Sequence, residues 1–306
     1  MIVRAALLLA LFAACGDDAP GNDDAPEDAA PPGTACPAPA TEPGGASPQF
    51  ASAPAGVRIG ASTYASSGTS STQVRATLRT EPLPELHTVA QEDGACRRRA
   101  AGIYHCETPC AADALCTDEN VCTTVGLASS AGLLSVTVDD ETIALEPDAT
   151  LTYRSEEVAL GGCSPVTVTA AGADFPAFEL EAALVPPIEI TNLTELGYFS
   201  GEGLIVRWRP ADPGARVRIT FRADSASHGA VLPSILECDA PDDAGEIAVP
   251  ASMMDPHIEQ FGCGICPQTS VTRYRRAVTS AGATEVELIA DDEQLLFLYP
   301  GGIELP

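Results

Sequence analysis

Lysine is absent from this sequence: its 16 basic residues are all arginine, and they stand against 43 aspartate and glutamate residues. The formal net charge is therefore −27. Without lysine, the chain has no phosphate-loop lysine, no Schiff-base lysine and no Ser-x-x-Lys nucleophile pair. The acidic excess argues against nucleic acid as a partner, because binding to a phosphate backbone requires a cationic surface.

Recognisable catalytic motifs are missing as well. The four histidines form no His-Glu-x-x-His pattern, and neither Gly-x-Ser-x-Gly nor Gly-x-Gly-x-x-Gly occurs. Only 19% of the residues are charged, whereas glycine and proline number 26 each, which is typical of a turn-rich chain. No cofactor and no metal are predicted. The acidic clusters 139–141, 242–243 and 291–293 are predicted to lie in solvated turns, with weak calcium binding as the alternative.

Residues 1–14 are predicted to be a signal peptide. A positive charge precedes an apolar run over residues 5–14, which is too short to span a bilayer because that takes roughly 20 residues. The stretch 11–15 (Leu-Phe-Ala-Ala-Cys) resembles the lipobox of bacterial lipoproteins, with Phe12 where that family usually has leucine. The resemblance implies that the sulfur of Cys15 receives a lipid, and Gly16 in the next position implies the outer membrane. The alternative is an ordinary secretory signal in which Cys15 has no role.

Residues 15–49 are predicted to be an acidic, disordered tether between the lipid and the folded body. This segment is rich in proline and alanine and contains no aromatic or basic residue. It therefore buries too little apolar surface to offset its ordering entropy. A flexible coil of this length has a root-mean-square span of roughly 30 Å.

The rest of the chain is predicted to form an all-β fold of two β-sandwich-like domains, 50–187 and 188–306, divided at Pro186-Pro187. The first domain includes the Cys-rich segment 96–122. Period-2 alternation rich in valine and threonine indicates the strands. They are predicted at 73–78, 134–138, 165–169, 178–181, 205–209, 216–222, 285–288 and 295–299. Short turns are predicted within 84–91 and 250–261.

The strands at 205–209 and 216–222 are predicted to pair as a hairpin around the turn 210–214. One face of that hairpin then carries apolar side chains. These are Val206, Trp208, Val217, Ile219 and Phe221. The segments Trp208-Arg209-Pro210 and Tyr274-x-Arg276-x-Val278 resemble an immunoglobulin-like or fibronectin-type-III sandwich. The resemblance implies that Tyr274 closes a corner by hydrogen bonding back to an earlier part of the chain.

Arginines occupy the opposite face of the predicted hairpin. They are Arg207, Arg209, Arg216, Arg218 and Arg222, and Arg273 and Arg275 alternate in the same way around Tyr274. One interpretation is cross-strand pairing with Glu285 and Glu287, at about 0.2–1 kcal/mol per pair. The other is an anion-binding face for a polyanionic glycan, lipopolysaccharide phosphates or an acidic protein.

Ten cysteines remain after Cys15, an even number that predicts disulfides in an exported chain. They are Cys36, Cys96, Cys106, Cys110, Cys116, Cys122, Cys163, Cys238, Cys263 and Cys266. We predict the pairs Cys106–Cys116, Cys110–Cys122 and Cys96–Cys163, although spacing alone does not fix the connectivity. The run from Cys106 to Cys122 resembles Cys-rich inserts in surface lipoproteins of high-GC Gram-negative bacteria, which implies a location rather than an activity. Zinc, with His105 beside Cys106, is the disfavoured alternative, because paired short Cys-x2-Cys elements are missing.

Cys263-Gly264-Ile265-Cys266 is the single Cys-x2-Cys element of the sequence. We expect one of its cysteines to pair with Cys238, and the other to reach Cys36 or to stay free. Thiol–disulfide activity is the alternative, but a redox dithiol normally stands at a helix N-terminus. Here Pro267 and a β-like run follow.

Together these features predict a lipid-anchored protein of the cell envelope, on the periplasmic or cell-surface side of the outer membrane. Its predicted role is non-enzymatic binding or scaffolding, with the membrane and an envelope polymer or protein as partners. The alternative is an envelope enzyme, either a hydrolase with unrecognised carboxylates or a thiol–disulfide enzyme at Cys263 and Cys266.

Overall fold

The computed structural model describes most of the predicted body and little of the segment before it. The described residues are 36, 47–50, 53–64, 70–81, 87–101, 106–111, 114–117, 120–158, 160, 162–223, 234–259, 267–299 and 302–303. The predicted signal peptide, Cys15 and the Cys263–Cys266 element lie outside them. The described chain is mostly β-structure, with 18 strands and one α-helix, α1 (Ala251–Glu259), so the all-β prediction is confirmed. No helix in this part is long and apolar enough to cross a membrane.

The strands in chain order are β1 (Ala55–Tyr64), β2 (Ser70–Thr77), β3 (His87–Asp93), β4 (Cys96–Ala101), β5 (Ala114–Cys116), β6 (Cys122–Thr124), β7 (Leu134–Val138), β8 (Glu141–Leu145), β9 (Thr152–Arg154), β10 (Pro165–Ala170), β11 (Phe178–Ala183), β12 (Leu204–Arg207), β13 (Arg216–Ala223), β14 (Ser234–Pro241), β15 (Glu246–Val249), β16 (Pro267–Ala281), β17 (Thr284–Tyr299) and β18 (Gly302–Ile303). Alternation explains several of them directly. In β7 the buried side chains are the first, third and fifth, as expected for a strand with one face in the core.

One long sheet runs through the body in the order β3-β4-β14-β13-β16-β17-β1-β2-β9, and β18 pairs with β17 as its tenth strand. Its centre is the β16–β17 hairpin. Strand β1 lies parallel to β17, and the other pairings of this sheet are antiparallel. The long sheet therefore joins strands from both sides of Pro187, and the two predicted domains share it.

The first hydrophobic core lies between the long sheet and a four-stranded sheet of order β11-β10-β7-β8. Ile59 and Val74 project from the long sheet, and Val136 and Val168 project from the smaller one. The end of the β16–β17 hairpin nearest its turn also contributes, for example through Leu288. This is a sandwich-like arrangement, because two sheets bury one face each against the other.

The second core lies between the other half of the long sheet and a cover formed by the two-stranded sheet β12–β15 and α1. The five apolar residues predicted to share a face are all buried here. They are Val206, Trp208, Val217, Ile219 and Phe221. Met253 and Met254 of α1 close this core. The two cores follow the predicted domains closely, except that Cys96 enters the second core and residues 281–290 of the hairpin enter the first.

The predicted hairpin of residues 205–209 and 216–222 is wrong. Strand β12 pairs with β15, and β13 pairs with β14 and β16 in the long sheet. The reason lies at Asp242, whose carboxylate accepts the backbone N–H groups of Ala211 and Asp212, each at 2.8 Å. These hydrogen bonds hold the segment between β12 and β13 as a connection from the two-stranded sheet to the long sheet. Strands β12 and β13 therefore do not pair.

The structure also bears on four smaller predictions. The strands expected at 285–288 and 295–299 are parts of one 16-residue strand, β17. The acidic cluster 291–293 lies inside β17 and not in a turn, because its carboxylates are satisfied by partners described below. The turn expected within 84–91 gives way to β3 from His87 onward, and the segment 250–261 contains α1.

Four disulfides join the eight cysteines of the described residues. Cys106–Cys116 and Cys110–Cys122 match the predicted pairs. The predicted pair Cys96–Cys163 is wrong, because Cys96 stands directly opposite Cys238 in the β4–β14 ladder and bonds to it. The expected bond of Cys238 to the Cys-x2-Cys element is therefore excluded.

Cys163 bonds instead to Cys36, a residue assigned to the tether. Cys36 is buried, and its N–H donates to the carbonyl of Ala211 at 3.0 Å. Residues 47–50 also lie on the body. The prediction that the tether extends to residue 49 is therefore corrected, since the chain is already held at Cys36.

We predict that the core disulfide matters far more for stability than the hairpin disulfide does. Replacing Cys96 and Cys238 by alanine removes a cross-link over 142 residues and should lower the free energy of unfolding by about 2–5 kcal/mol. Replacing Cys106 and Cys116, which are 10 residues apart, should leave the main urea transition unchanged. Equal shifts of the urea midpoint in the two double variants would contradict this ranking.

Candidate functional site

The long sheet carries a charged face on the side opposite its cores. Antiparallel register places Asp239 directly opposite Arg218 and Glu237 directly opposite Arg97. Residues opposite each other in a ladder share a face, so acids and arginines come together side by side. We call this surface the charged sheet face and define it by Arg58, Arg97, Arg216, Arg218, Glu237, Asp239, Tyr274 and Asp291.

Asp239 is the centre of this face. Its carboxylate accepts hydrogen bonds from Nε of Arg216 at 2.6 Å and from Nε of Arg218 at 3.2 Å, and the hydroxyl of Tyr274 also donates to it. Asp239 is only 1% exposed. Burial raises the pKa of Tyr274, and Asp239 adds to that effect while Arg218 opposes it. The hydroxyl of Tyr274 thus bonds to a carboxylate on the earlier strand β14.

Residues 47–50 lie across the charged sheet face. The backbone N–H of Gln49 donates to Oδ1 of Asp239 at 3.1 Å, and its carbonyl accepts from Arg218. Nη2 of Arg97 donates to the carbonyl of Phe50 at 3.1 Å, and the guanidinium of Arg97 stacks 4.2 Å from the Phe50 ring centroid. The face therefore binds backbone groups of Gln49 and Phe50 and the aromatic ring of Phe50.

A second ion pair lies further along the same face, where β1 runs parallel to β17. Nε of Arg58 donates to both carboxylate oxygens of Asp291 at 2.9 Å. The pair requires Gly60, because a Cβ there would lie 2.3 Å from Oδ1 of Asp291. Burial raises the pKa of Asp291 to about 6, and the carboxylates of Glu293 and Asp292 act in the same direction against Arg58.

The five arginines predicted to form an anion-binding face do not share a surface. Arg216 and Arg218 belong to the long sheet, whereas Arg207 and Arg209 lie at the separate β12 strand. Arg207 pairs with Glu246 at 3.1 Å, and Arg209 pairs with Glu189 at 2.9 Å. Arg222 is exposed at the end of β13. The predicted anion-binding face is therefore corrected, because four of its arginines are paired with carboxylates.

The other interpretation, cross-strand pairing of these arginines with Glu285 and Glu287, also needs correction. It is Arg276 that contacts Glu285 and Glu287. Arg273 is fully buried and donates through Nε to Asp242 at 3.0 Å, and its other nitrogens reach backbone carbonyls. Arg275 pairs with Asp212 at 2.5 Å.

The cysteines of the hairpin β5–β6 bring three sulfurs together. The Sγ atoms of Cys106, Cys110 and Cys116 lie within 4.8 Å of one another. All three are in disulfides, so they present no thiolate, and a thiolate is what zinc binds. The cluster is therefore a pair of adjacent cross-links.

A buried Ser–His contact was not predicted from the sequence. The hydroxyl of Ser234 lies 3.0 Å from Nδ1 of His257 and donates to the carbonyl of Arg99 at 3.2 Å. Since a hydroxyl has one proton and a carbonyl only accepts, Nδ1 of His257 is the donor toward Ser234. Burial lowers the pKa of His257 to about 3, with Arg98 contributing. Burial therefore favours the neutral form of this histidine.

No protein-family model matches this chain, and no curated protein does either.

We predict that loss of the charge on Asp239 is severely destabilising. Asp239→Asn leaves the guanidiniums of Arg216 and Arg218 without their shared carboxylate and should lower the free energy of unfolding by about 3–5 kcal/mol. Glu246→Gln removes the same charge from an exposed pair and should cost no more than about 1 kcal/mol. Urea unfolding of both variants measures the difference. Similar decreases in the free energy of unfolding would show that burial does not strengthen the ion pairs of Asp239.

Proposed function

We propose that this protein is a lipid-anchored protein of the cell envelope with a non-enzymatic binding or scaffolding role. The observation that carries the proposal is the set of four disulfides, two of which join cysteines more than 120 residues apart. Disulfides form and persist in oxidising compartments outside the cytosol. They therefore support export, which the apolar run over residues 5–14 also predicts.

The sequence around Cys15 supports lipid attachment, and the fold indicates where the chain from the lipid would reach the body. Cys36 is bonded to Cys163, so the connection from Cys15 consists of residues 16–35. As a flexible coil of 20 residues it would span about 25 Å. That distance would hold the body close to the membrane surface.

The charged sheet face supports the binding role. It holds Gln49 and Phe50 through backbone hydrogen bonds and ring stacking, and any extended peptide with an aromatic residue offers the same groups. Most acids and arginines around it are paired with each other. The face is therefore a preorganised surface, which suits binding or scaffolding.

We predict that Cys15→Ser releases the protein from membranes. The wild-type chain expressed in a Gram-negative host should partition into detergent and carry the mass of an acylated Cys15 terminus. The variant should be water-soluble, because a thioether-linked lipid cannot form on serine. Cys36→Ser, which removes another cysteine of the N-terminal segment, should stay in the membrane fraction. Wild-type protein that is water-soluble and begins at its initiator methionine would contradict the proposal.

One observation favours a second candidate function, thiol–disulfide chemistry at Cys263 and Cys266. The sequence has 11 cysteines. Eight are bonded to one another, including Cys238, the expected partner of this element. Cys263 and Cys266 therefore pair with each other or with Cys15, or carry free thiols. A self-contained Cys-x2-Cys pair is the arrangement of a redox dithiol.

The two candidates predict different behaviour toward reductant. If the role is non-enzymatic, non-reducing peptide maps should show Cys263 bonded to Cys266, and this bond should resist a glutathione buffer as well as Cys106–Cys116 does. A redox enzyme should instead release two thiols selectively at Cys263 and Cys266 and should reduce a test disulfide such as that of insulin. Selective release of these two thiols, together with insulin reduction that Cys263→Ser abolishes, would favour the enzyme.

A further inference from the structure

A cavity of about 170 Å³ lies between the long sheet and the chain that leads into Pro187. Strands β1, β2 and β17 form one wall, and Leu160, Gly162, Leu184, Val185 and Pro187 form the other. Its lining combines aliphatic side chains, among them Ile59 and Leu184, with the polar groups of Thr72 and Asp292. Engineered apolar cavities of about 150 Å³ take up molecules the size of benzene. The space is therefore sufficient for a small organic group.

One charged side chain in this lining has no counter-ion. Asp292 is 8% exposed, and its hydrogen bond comes from the backbone N–H of Ile188 to Oδ1, at 2.8 Å. Within the described residues no arginine or histidine lies within ion-pair distance of it. Arg273 stands directly opposite Asp292 in the β16–β17 ladder and, through space, opposes the rise that burial causes in the pKa of Asp292, but the Nε of Arg273 donates to Asp242 at 3.0 Å.

Asp292 is an exception in this protein. Among the described residues, each of the other buried carboxylates pairs with an arginine. These pairs are Asp212–Arg275, Glu237–Arg97, Asp239–Arg216, Asp242–Arg273, Glu287–Arg276 and Asp291–Arg58. Buried carboxylates are rare unless they are paired, because their desolvation is costly. The unmatched charge at the cavity wall points to a cation from outside the chain.

We propose that this cavity binds a primary ammonium group on a short aliphatic stem, with Asp292 as the counter-ion. The hydroxyl of Thr72, which also lines the cavity, accepts a second ammonium hydrogen. The walls at Ile59, Leu184 and Val185 enclose the stem. Because the chain contains no lysine, such a group belongs to another molecule, either a free amine or a lysine side chain of a partner.

The number of acceptors discriminates among cations. Asp292 accepts the N–H of Ile188 at one oxygen and keeps lone pairs on both oxygens for a cation. Calcium requires six to eight oxygen ligands, about twice what Asp292 and Thr72 together can supply. An ammonium needs only one strong acceptor and one or two weaker ones, which matches this lining.

Calorimetric titration of the full chain with n-butylammonium tests the proposal. We expect saturable binding at one site, at least tenfold tighter than that of the uncharged 1-butanol. Asp292→Asn keeps the acceptor for Ile188 but removes the charge, and it should weaken butylammonium binding at least tenfold. Asp243→Asn, an exposed change of equal charge, should bind like wild type. Equal binding of butanol, or unchanged binding by Asp292→Asn, would overturn the proposal.

A second variant guards against misfolding of Asp292→Asn. Ala61→Leu adds side-chain volume to the cavity wall and should abolish butylammonium binding while the urea midpoint stays near that of wild type. Unchanged binding in this folded variant would place the ligand elsewhere and reject the site. Nα-acetyl-lysine N-methylamide distinguishes the two sources of the ammonium. Binding as tight as that of butylammonium indicates a partner's lysine, and weaker binding indicates a free amine.

Discussion

Arginine–carboxylate pairing inside the body is the constraint on which the rest of this structure depends. With 43 acidic residues and no lysine, arginine is the main side-chain cation that the chain offers to a buried carboxylate. The guanidinium suits this role because it stays charged when buried and donates along several directions. Arg273 shows the result: it is fully buried, bonds to Asp242 and also caps the carbonyls of Pro186, Pro187 and Arg209. The network holds together the point where the two cores meet.

The same pairing lets one sheet serve two cores. A strand that passes from one core to the other must carry polar groups at the crossover, where it lies beneath neither apolar layer. In β17 that place is taken by Asp292, whereas Asp291 lies on the charged sheet face. Asp291 is neutralised by Arg58, and Asp292 receives the N–H of Ile188. The strand therefore continues through a sequence that would otherwise end it.

Local features of the fold could be predicted from the sequence, and long-range ones could not. Alternation predicted β7 and β10 well, because burial of every second side chain leaves a direct trace in the sequence. The pairs Cys106–Cys116 and Cys110–Cys122 could also be predicted, because the loops that they close are short. The bonds of Cys36 and Cys96 depend on which strands become neighbours. The hairpin predicted around residues 210–214 is wrong because Asp242, some 30 residues away, accepts backbone N–H groups of the predicted turn.

The candidate sites follow the same rule. The sequence shows the alternating arginines on β13 but not that Asp239 is their partner. The sequence pattern therefore predicts an anion-binding surface where the arginines are in fact neutralised within the protein. The cavity beside Asp292 gathers Thr72, Leu184 and Pro187 from distant positions, and no spacing marks them. Sequence did contain one useful signal: the absence of lysine shows how few internal partners the acids have.

The bond between Cys36 and Cys163 also determines how the body responds to mechanical load. A pull on the N-terminal end enters the folded part at Cys36 and passes through a covalent link to the residue that precedes β10 by two positions. This covalent route lets force from the N-terminal side reach β10 without first passing through the parallel ladder between β1 and β17.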